Sequence, residues 1–290
     1  MLTDRHPRID LHSHSSASDG TQPPADVVRR ARDRGLDVLA LTDHDTVAGH
    51  AAAIEALPAG LTLVPGMELS CRRGGQSIHL LAYLFDPLEP DLLAECARIR
   101  QARVERAKAT VERLTELGVP LTWEQVADLA AGGPVGRPHI ARAMVAAGAV
   151  AEPALAFTPE WIGTGGRAYV SRYALDPERA VRLVRAAGGA AVLAHPKAHK
   201  RGKVVPDEWI AELAGAGLFG VEADHLDHDA DARRHLRALA KELGLAVTGS
   251  SDDHGELTGH RLGCETTAAE VYERLTATAT GARPITARPR

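Results

Sequence analysis

Aromatic side chains are scarce in this chain: phenylalanine, tryptophan and tyrosine make up 3% of its 290 residues. A broad surface that reads nucleic-acid bases by stacking needs several aromatic rings, so this scarcity argues against one. Basic residues are not in excess either, since 34 lysines and arginines stand against 38 aspartates and glutamates, for a net charge of -4. We therefore expect no stable complex with long nucleic acid, although a local pocket for a small anion remains open.

Cysteines are few, and long apolar runs are absent. Cys71, Cys96 and Cys264 are scattered and odd in number, which fits a reducing compartment and excludes zinc-knuckle spacing. No run of about 18 apolar residues is present, so we expect no membrane span. The first ten residues contain no apolar signal core. These absences predict a cytoplasmic protein that does not associate with membranes.

Short apolar runs alternate with helical patterns in two parts of the chain, residues 1–87 and 168–290. Strands connected by helices predict an α/β fold, either a parallel barrel or a doubly wound sheet. The runs that we expect to form strands are Arg8–His14, Leu36–Thr42, Leu61–Leu69, Ser77–Leu84, Gly189–His195, Leu218–Ala223 and Leu245–Ser250.

Residues 88–167, between these two parts, carry only helical patterns. Apolar side chains such as Leu92, Ile99 and Val111 fall on one helical face, and Gly132-Gly133-Pro134 interrupts the pattern. We predict an all-helical insertion in the α/β domain. If it acts as a lid over the substrate, it supplies specificity rather than chemistry.

Histidines and carboxylates concentrate where the predicted strands end, and the carboxyl edge of parallel strands is where functional sites form. His12 and His14 are two apart on a strand, so their rings share one face. Histidine and carboxylate ligands without cysteine favour manganese, iron or zinc in a reactive site over structural zinc. Nine candidates suit two or three divalent ions: His12, His14, Asp19, His44, Glu68, His79, His195, Asp252 and His254.

Two acidic neighbours of these candidates are interpreted differently. Asp45 follows His44 and precedes a predicted helix, so we expect it to cap that helix. Asp253 lies between Asp252 and His254, and alternate residues of an extended segment face apart. We therefore expect Asp253 to point away from the ions.

Six segments, in the order in which they occur, resemble the polymerase and histidinol phosphatase (PHP) superfamily of metal-dependent phosphoesterases. The resemblance implies a distorted (β/α)7 barrel that carries the all-helical subdomain as an insertion. The segment from Gly136 to Arg142 resembles the subgroup that acts on 3',5'-nucleoside bisphosphates and on short RNA from its 5' end. The six segments are Asp10-Leu11-His12-Ser13-His14, Asp19-Gly20, Leu41-Thr42-Asp43-His44-Asp45, Gly66-Met67-Glu68, Ala194-His195-Pro196 and Ser251-Asp252-Asp253-His254.

The resemblance also implies a three-metal cluster and its chemistry. Members of the family usually work with manganese, and iron and zinc also occur. Neighbouring divalent ions acidify a bridging water, and the resulting hydroxide attacks phosphorus in line while the ions neutralise phosphoryl charge. The implied catalytic centre, which holds the first ion, is His12, His14, Glu68 and Asp252. Glu68 bridges to a second ion held by His79 and His195, and the third is held by Asp19, His44 and His254.

Cationic side chains outside this set are candidates for substrate binding, the substrate being a small phosphorylated nucleotide or a short RNA end. Arg137 is the strongest of them, because a guanidinium binds phosphate with two parallel hydrogen bonds. His139 stands beside it, and Lys197, Lys200 and Arg201 lie in a basic loop that follows His195. His225 and His228 follow another predicted strand and could contact phosphate or protonate a leaving group.

Three alternatives stay open. A carbon–nitrogen hydrolase of the amidohydrolase class also begins with His-x-His, but many members bridge their metals with a carboxylated lysine at a middle strand. None of the five lysines, Lys108, Lys197, Lys200, Lys203 and Lys241, ends an early or middle strand, and Glu68 stands there instead. A histidinol phosphate phosphatase is the second alternative. A PHP-type module that only binds metal or a partner is the third.

Overall fold

The computed structural model describes residues 6–130, 135–171, 173–199 and 203–287. The chain forms two compact units. The first consists of Met1–Cys96 and Leu175–Arg290, and the second is Ala97–Ala174. The first unit carries all nine candidate metal ligands.

A barrel-shaped sheet forms the centre of the first unit, and its first seven strands are neighbours in chain order. The barrel is nearly closed, because the His14 N–H donates to the Asp253 carbonyl and the Asp252 N–H donates to the His12 carbonyl, both at 2.9 Å. This confirms the predicted distorted α/β barrel. The strands are β1 Ile9–Asp10, β2 Val38–Leu41, β3 Thr62–Arg73, β4 Gln76–Tyr83, β5 Ala190–Leu193, β6 Gly220–Asp224, β7 Ala246–Gly249 and β8 Ile285–Thr286.

One strand corrects the expectation of a purely parallel barrel. β4 runs antiparallel to both β3 and β5, and β8 pairs antiparallel with β3 outside the ring. The cause is the two-residue connection from β3 to β4, where Gly74 and Gly75 have φ values of 55° and 80°. Two consecutive residues with positive φ form the tight turn of a hairpin, whereas a parallel crossover needs a much longer connection.

Helices pack around this sheet because each has one apolar face. Val27, Val28 and Ala31 of the first helix pack with Leu39 and Leu63 of the sheet, and burial of such a side chain contributes about 1.5–3 kcal/mol. The helices of the first unit are α1 Pro24–Asp33, α2 His50–Glu55, α7 Pro177–Ala186, α8 Asp207–Gly215, α9 Ala230–Leu243 and α10 Ala269–Thr278.

The inside of the barrel is a packed core rather than a channel. Its largest buried side chain, Tyr83, donates its hydroxyl to the Leu11 carbonyl at 2.8 Å, which satisfies a polar atom within apolar surroundings. Apolar side chains of several strands fill the remaining space: Ile9, Leu11, Val38, Ala40, Val64, Leu81, Val192 and Ala246.

The second unit is helical throughout its described secondary structure. α3 Pro90–Glu116 begins in the first unit and continues into the second, where α4 Trp123–Leu129, α5 Arg137–Ala146 and α6 Pro153–Ala156 follow. The Thr122 side chain and Gln125 cap the start of α4 reciprocally. This unit spans 97–174, whereas the sequence pattern placed the insertion at 88–167. The predicted break at Gly132-Gly133-Pro134 lies outside the described residues, and the role of a lid stays a prediction.

Among the helices of the described ranges, we find none with the length and apolar character that crossing a membrane requires.

Candidate metal centre

Four buried side chains bring their ligand atoms together beside the end of β1. His12 Nε2 lies 3.1 Å from His14 Nε2 and 3.2 Å from Glu68 Oε2 and from Asp252 Oδ1. His14 Nε2 lies 3.1 Å from both of these carboxylate oxygens. Ligand atoms at right angles around one ion, with bonds of about 2.1 Å, stand roughly 3 Å apart. The spacing of these four residues therefore suits one shared ion.

Glu68 is also the centre of a second group. Its Oε1 lies 2.9 Å from His79 Nδ1 and 3.3 Å from His195 Nε2, and its Oε2 lies 3.3 Å from His44 Nδ1. His44, Glu68 and His79 form a group that could hold a second ion. His195, which the resemblance implied for this ion, lies outside the three ligand groups found among the described residues, although its ring contacts Glu68. Because Glu68 faces both groups, its carboxylate is placed where it could bridge two ions.

Asp19 lies at the centre of the third group. Its carboxylate lies 3.4 Å from His254 Nε2 and 3.6 Å from both His14 Nδ1 and His44 Nε2. Sequence reasoning placed Asp19, His44 and His254 here, and the structure adds His14 to them. His14 and His44 each turn one nitrogen to this group and the other to a neighbouring group, so the three sets share members.

The donor atoms fit metal ions better than they fit one another. The Nδ1 atoms of His14, His44 and His79 are buried and form no hydrogen bond, although carboxylate oxygens lie near them. A buried polar atom without a partner costs about 1–3 kcal/mol, so native structures rarely keep several in one place. Divalent ions would satisfy these nitrogens, and imidazole with carboxylate suits manganese, iron or zinc.

The charges around the centre shift the pKa values of its groups in opposite directions. Burial alone would lower the pKa of His12, but the Asp252 and Glu68 carboxylates outweigh it and hold the pKa well above its usual range. Burial also opposes protonation of His14, yet hydrogen bonds to the same two carboxylates raise its pKa to about 10. Burial would raise the pKa of Glu68, and the surrounding histidines hold it far below its usual range instead. The first ligand group thus attracts positive charge, whereas burial, together with the neighbouring histidines, lowers the pKa of His44 to about 4.

This electrostatic preference predicts how manganese binding depends on pH. A histidine must lose its proton before its nitrogen can bind a metal, and the pKa of His14 is raised to about 10 in the metal-free chain. At neutral pH the ion therefore displaces a proton, so the affinity for Mn²⁺ should rise with pH. The expected increase is up to about tenfold per pH unit for each proton displaced. Isothermal titration between about pH 6 and about pH 8 measures it, and an affinity that does not change over this range would contradict the assignment.

Buried carboxylates outside the ligand groups hold the ligand-bearing loops. Asp43 accepts from the Ser15 N–H at 2.8 Å and from the hydroxyls of Ser15 and Ser18 at 2.7 and 2.6 Å. It thereby holds the loop that carries Asp19. In the same loop, a Cβ on Gly20 would lie 2.8 Å from the His14 backbone, so only glycine allows this close approach.

The two acidic neighbours singled out in the sequence have different outcomes. Asp45 does not cap a helix, because α2 begins only at His50; its carboxylate accepts from the Ser70 N–H at 2.7 Å and from the Ser70 hydroxyl at 2.8 Å. Asp253 accepts from the N–H groups of Gly255 and Arg261 at 3.2 and 2.6 Å. Asp253 belongs to none of the ligand groups found among the described residues.

Backbone strain marks two of the candidate ligands. His195 and Asp252 have φ values of 31° and 50°, in a region that side chains other than glycine rarely adopt. Such a conformation costs on the order of 1–3 kcal/mol and persists only where surrounding contacts impose it. These contacts include the bonds from the His195 N–H to Glu222 and from the Asp252 N–H to the His12 carbonyl, both at 2.9 Å.

The cations predicted to bind substrate are in varied surroundings. Arg137 is the first residue of α5, and its guanidinium lies 5.6 Å from the centre of the Phe157 ring. His139 Nδ1 accepts from the Gly136 N–H at 3.0 Å, which supports the first turn of the same helix. The Lys197 ammonium donates to Asp207 and to the Val205 carbonyl, both at 2.6 Å. Contact of Lys197 with phosphate would require it to leave Asp207. Lys200 and Arg201 lie outside the described residues.

Both histidines after β6 are buried. His228 Nε2 accepts from the Lys197 N–H at 3.1 Å, and its Nδ1 donates to the Ala223 carbonyl at 2.9 Å. These bonds use both ring nitrogens, so the geometry gives no support to a substrate contact by His228. His225 Nε2 lies 3.4 Å from Asp252 Oδ2 and faces a candidate ligand instead of solvent.

Sequence reasoning missed two charged residues beside the centre. Glu222 is fully buried. Burial alone would raise its pKa, but the contacts with the His12 ring and the nearby His225 and His195 outweigh it and lower the pKa to about 2. Its position between Val221 and Ala223, inside an apolar run, was the signal that could have revealed it. The Arg261 guanidinium donates to the Asp252 carbonyl at 2.8 Å, and no pattern in the sequence pointed to it.

A nearly closed α/β barrel with clustered histidines and carboxylates at its rim defines a metal-dependent hydrolase. The model of the PHP domain matches residues 10–117. A 5'-3' exoribonuclease of Haemophilus influenzae is 36% identical over 85% of this chain and 90% of its own. A 3',5'-nucleoside bisphosphate phosphatase of Chromobacterium violaceum is 34% identical over 87% of this chain and 89% of its own.

Similarity extends to solved structures. A protein of Bifidobacterium adolescentis described as a metal-dependent phosphoesterase superposes with a TM-score of 0.82 and 31% identity, over 95% of this chain and 98% of its own. The chain therefore belongs to the PHP family of metal-dependent phosphoesterases, which confirms the resemblance seen in its motifs.

Proposed function

We propose that this phosphoesterase hydrolyses phosphate esters of small nucleotides and prefers the 3'-phosphate of nucleoside 3',5'-bisphosphates. The observation that carries the proposal is the convergence of five histidine nitrogens within 3.3 Å of the Glu68 carboxylate. The nucleotide preference is supported by the Chromobacterium relative and its name. Cleavage of short 5'-phosphorylated RNA is a second candidate, supported by the exoribonuclease relative.

The three ligand groups would hold two or three divalent ions, and we propose manganese because the donors are imidazole and carboxylate without thiolate. Bound ions would supply Lewis-acid activation of water and neutralise charge on the phosphoryl group. The side chains of His12, His14, Glu68 and Asp252 are at most 1% exposed, whereas those of His79 and Asp19 are 24% and 42% exposed. Substrate therefore approaches from the side of His79 and Asp19.

The phosphate group of the substrate that is not cleaved needs cationic side chains outside the metal centre to bind it. We assign this role first to Arg137 and its neighbour His139 in the helical unit, which would make that unit the determinant of specificity, as a lid over the substrate. Lys197, Lys200 and Arg201 are weaker candidates, and the buried His225 faces Asp252 instead. A small nucleotide as substrate and cysteines that are present as thiols both fit a cytoplasmic location.

The proposed function predicts a preference for two phosphates over one. Contacts with the uncleaved phosphate help position the reacting group, so they increase the rate as well as the affinity. With Mn²⁺ present, kcat/KM for adenosine 3',5'-bisphosphate should exceed that for adenosine 3'-phosphate by roughly tenfold or more, the effect of one charged contact. Release of inorganic phosphate measures both. Similar kcat/KM values for the two substrates would show that the chain has no pocket for the second phosphate.

Variants of Arg137 test whether its side chain binds the uncleaved phosphate. Arg137→Ala should reduce this ratio toward one while leaving hydrolysis of a simple aryl phosphate unchanged. Arg137→Lys should restore the ratio only in part, because an ammonium cannot form the planar two-pronged contact.

Histidinol phosphate, short 5'-phosphorylated RNA and a peptide-like amide complete the substrate panel. Faster hydrolysis of one of these would assign the centre to that substrate class instead.

A further inference from the structure

β6 differs from the other strands of the ring. Each of β1–β5 and β7 carries or leads into at least one candidate ligand, whereas β6 provides none. The segment from Glu222 to His228 nevertheless contacts candidate ligands that follow three other strands. We propose that Glu222 and His225 are positioning residues, which orient the ligand atoms of His12, His195 and Asp252 toward the ions. This inference rests on the proposed metal centre.

The two carboxylate oxygens of Glu222 contact two candidate metal ligands that follow different strands. Its Oε1 lies 3.1 Å from His12 Nδ1, and its Oε2 accepts from the His195 N–H at 2.9 Å. An ionised carboxylate only accepts hydrogen bonds, so the proton of a neutral His12 ring lies on Nδ1. The Nε2 lone pair of His12 is then free to face Glu68 and Asp252, where the first ligand group converges. One buried side chain thus sets the tautomer of His12.

The second bond of Glu222 acts on the backbone. His195 has a φ of 31°, and its N–H points to Glu222 Oε2 in this strained conformation. Without an acceptor there, the buried N–H would lose its partner and the strained backbone would lose a constraint. Glu222 therefore couples the ring of one ligand to the backbone position of another.

His225 acts on Asp252 in a similar way. Its Nδ1 lies 3.0 Å from the Asp227 N–H, and a backbone N–H can only donate, so the ring proton lies on Nε2. Nε2 faces Asp252 Oδ2 at 3.4 Å, which leaves Oδ1 near the Nε2 atoms of His12 and His14. A neutral ring that donates to a ligand differs from the phosphate contact or leaving-group acid expected from the sequence.

Glu222→Gln tests the first half of the inference, because the side chains have the same shape but different hydrogen bonding. Glutamine has one accepting oxygen and one donating nitrogen. If the oxygen faces His12, the nitrogen opposes the His195 N–H; if it is reversed, His12 is forced into the wrong tautomer. We expect the affinity for Mn²⁺ to fall by about 10–100-fold, as for partners of metal ligands in general. Isothermal titration of the purified full chain measures affinity and stoichiometry without reference to activity.

Asp224→Asn is the matched control. It makes the same chemical change two residues further along β6, where the carboxylate pairs with Arg233 and Arg237 and contacts no candidate ligand among the described residues. Its Mn²⁺ affinity should stay within about twofold of the unaltered chain. Thermal unfolding in the presence of a chelator shows whether each variant is folded before it is titrated.

His225 provides an independent pair of variants. The amide nitrogen of glutamine reaches about as far as histidine Nε2, so His225→Gln should keep a donor to Asp252 and bind Mn²⁺ within about threefold of the unaltered chain. His225→Leu loses the donor and should bind about tenfold more weakly. Unchanged Mn²⁺ affinity in His225→Leu, with a loss of kcat that grows for poorer leaving groups, would make His225 an acid and overturn its positioning role.

Mn²⁺ binding by the unaltered chain tests the proposed metal centre separately from the positioning roles of Glu222 and His225. If the unaltered chain binds no Mn²⁺, the metal centre itself is wrong. If it binds two or three ions and Glu222→Gln binds them with the same affinity and number, the centre stands and the positioning role of Glu222 is overturned. Weaker or fewer ions in Glu222→Gln, with Asp224→Asn unaffected, support the inference.

Discussion

Replacement of Glu68 by alanine should lower kcat/KM for adenosine 3',5'-bisphosphate by about a thousandfold or more. The Glu68 carboxylate lies within 3.3 Å of nitrogens from His12, His14, His44, His79 and His195. Its loss removes a ligand from two neighbouring groups at once and leaves the second group, His44 and His79, without a carboxylate of its own. A thousandfold loss corresponds to about 4 kcal/mol of transition-state stabilisation, within the several kcal/mol that metal ions supply.

His44→Ala is the matched comparison for this effect. His44 also faces two groups, but its side chain is 11% exposed, against 1% for Glu68, so water can replace it more readily. We expect a loss of about 10–100-fold for His44→Ala. Phosphate release and elemental analysis of manganese should be measured on both variants. Equal and mild losses would show that Glu68 does not bridge.

Removal of metal should abolish activity and also make the chain unfold at a lower temperature. A ligand present at about 100 times its Kd stabilises the native state by about 2.7 kcal/mol. For a chain of this size, each kcal/mol shifts Tm by about 2–4 °C, so saturating Mn²⁺ should raise Tm by about 5–10 °C over the chelated protein. Calorimetry with chelator and after addition of Mn²⁺ measures the shift.

The Glu68→Ala variant is the control for this experiment, because it should show a smaller rise in Tm on addition of Mn²⁺. Full activity after exhaustive dialysis against chelator, with no more than trace metal by elemental analysis, would contradict the metal-dependent mechanism. Recovery of activity with Mn²⁺ but not with Zn²⁺ or Fe²⁺ would support manganese as the resident ion.

Much of the fold follows from local patterns in the chain. The apolar run Leu36–Thr42 predicted a buried strand, and β2 is Val38–Leu41. Proline in the first turn of the segment Pro23–Arg34 predicts that a helix begins there, and α1 is Pro24–Asp33. The run Leu61–Leu69 marked β3 but missed its end at Arg73, since the apolar run stops at Leu69 and the following residues extend the strand by pairing with β4 in the hairpin. That pairing reversed the direction expected for β4.

The sequence by itself determined which residues meet at the rim. The two-residue spacing of His12 and His14 predicted one shared face, and the predicted strand ends supplied Glu68 and Asp252, because both relations depend only on positions along the chain. In the structure Glu68 lies inside β3 instead of at its end. Tertiary structure alone decided which nitrogen of each histidine faces which group. His12 owes its tautomer to Glu222, a residue 210 positions away, and a ring's orientation is set by neighbours that only folding brings into contact. For the same reason the shared roles of His14 and His44 were invisible in the chain.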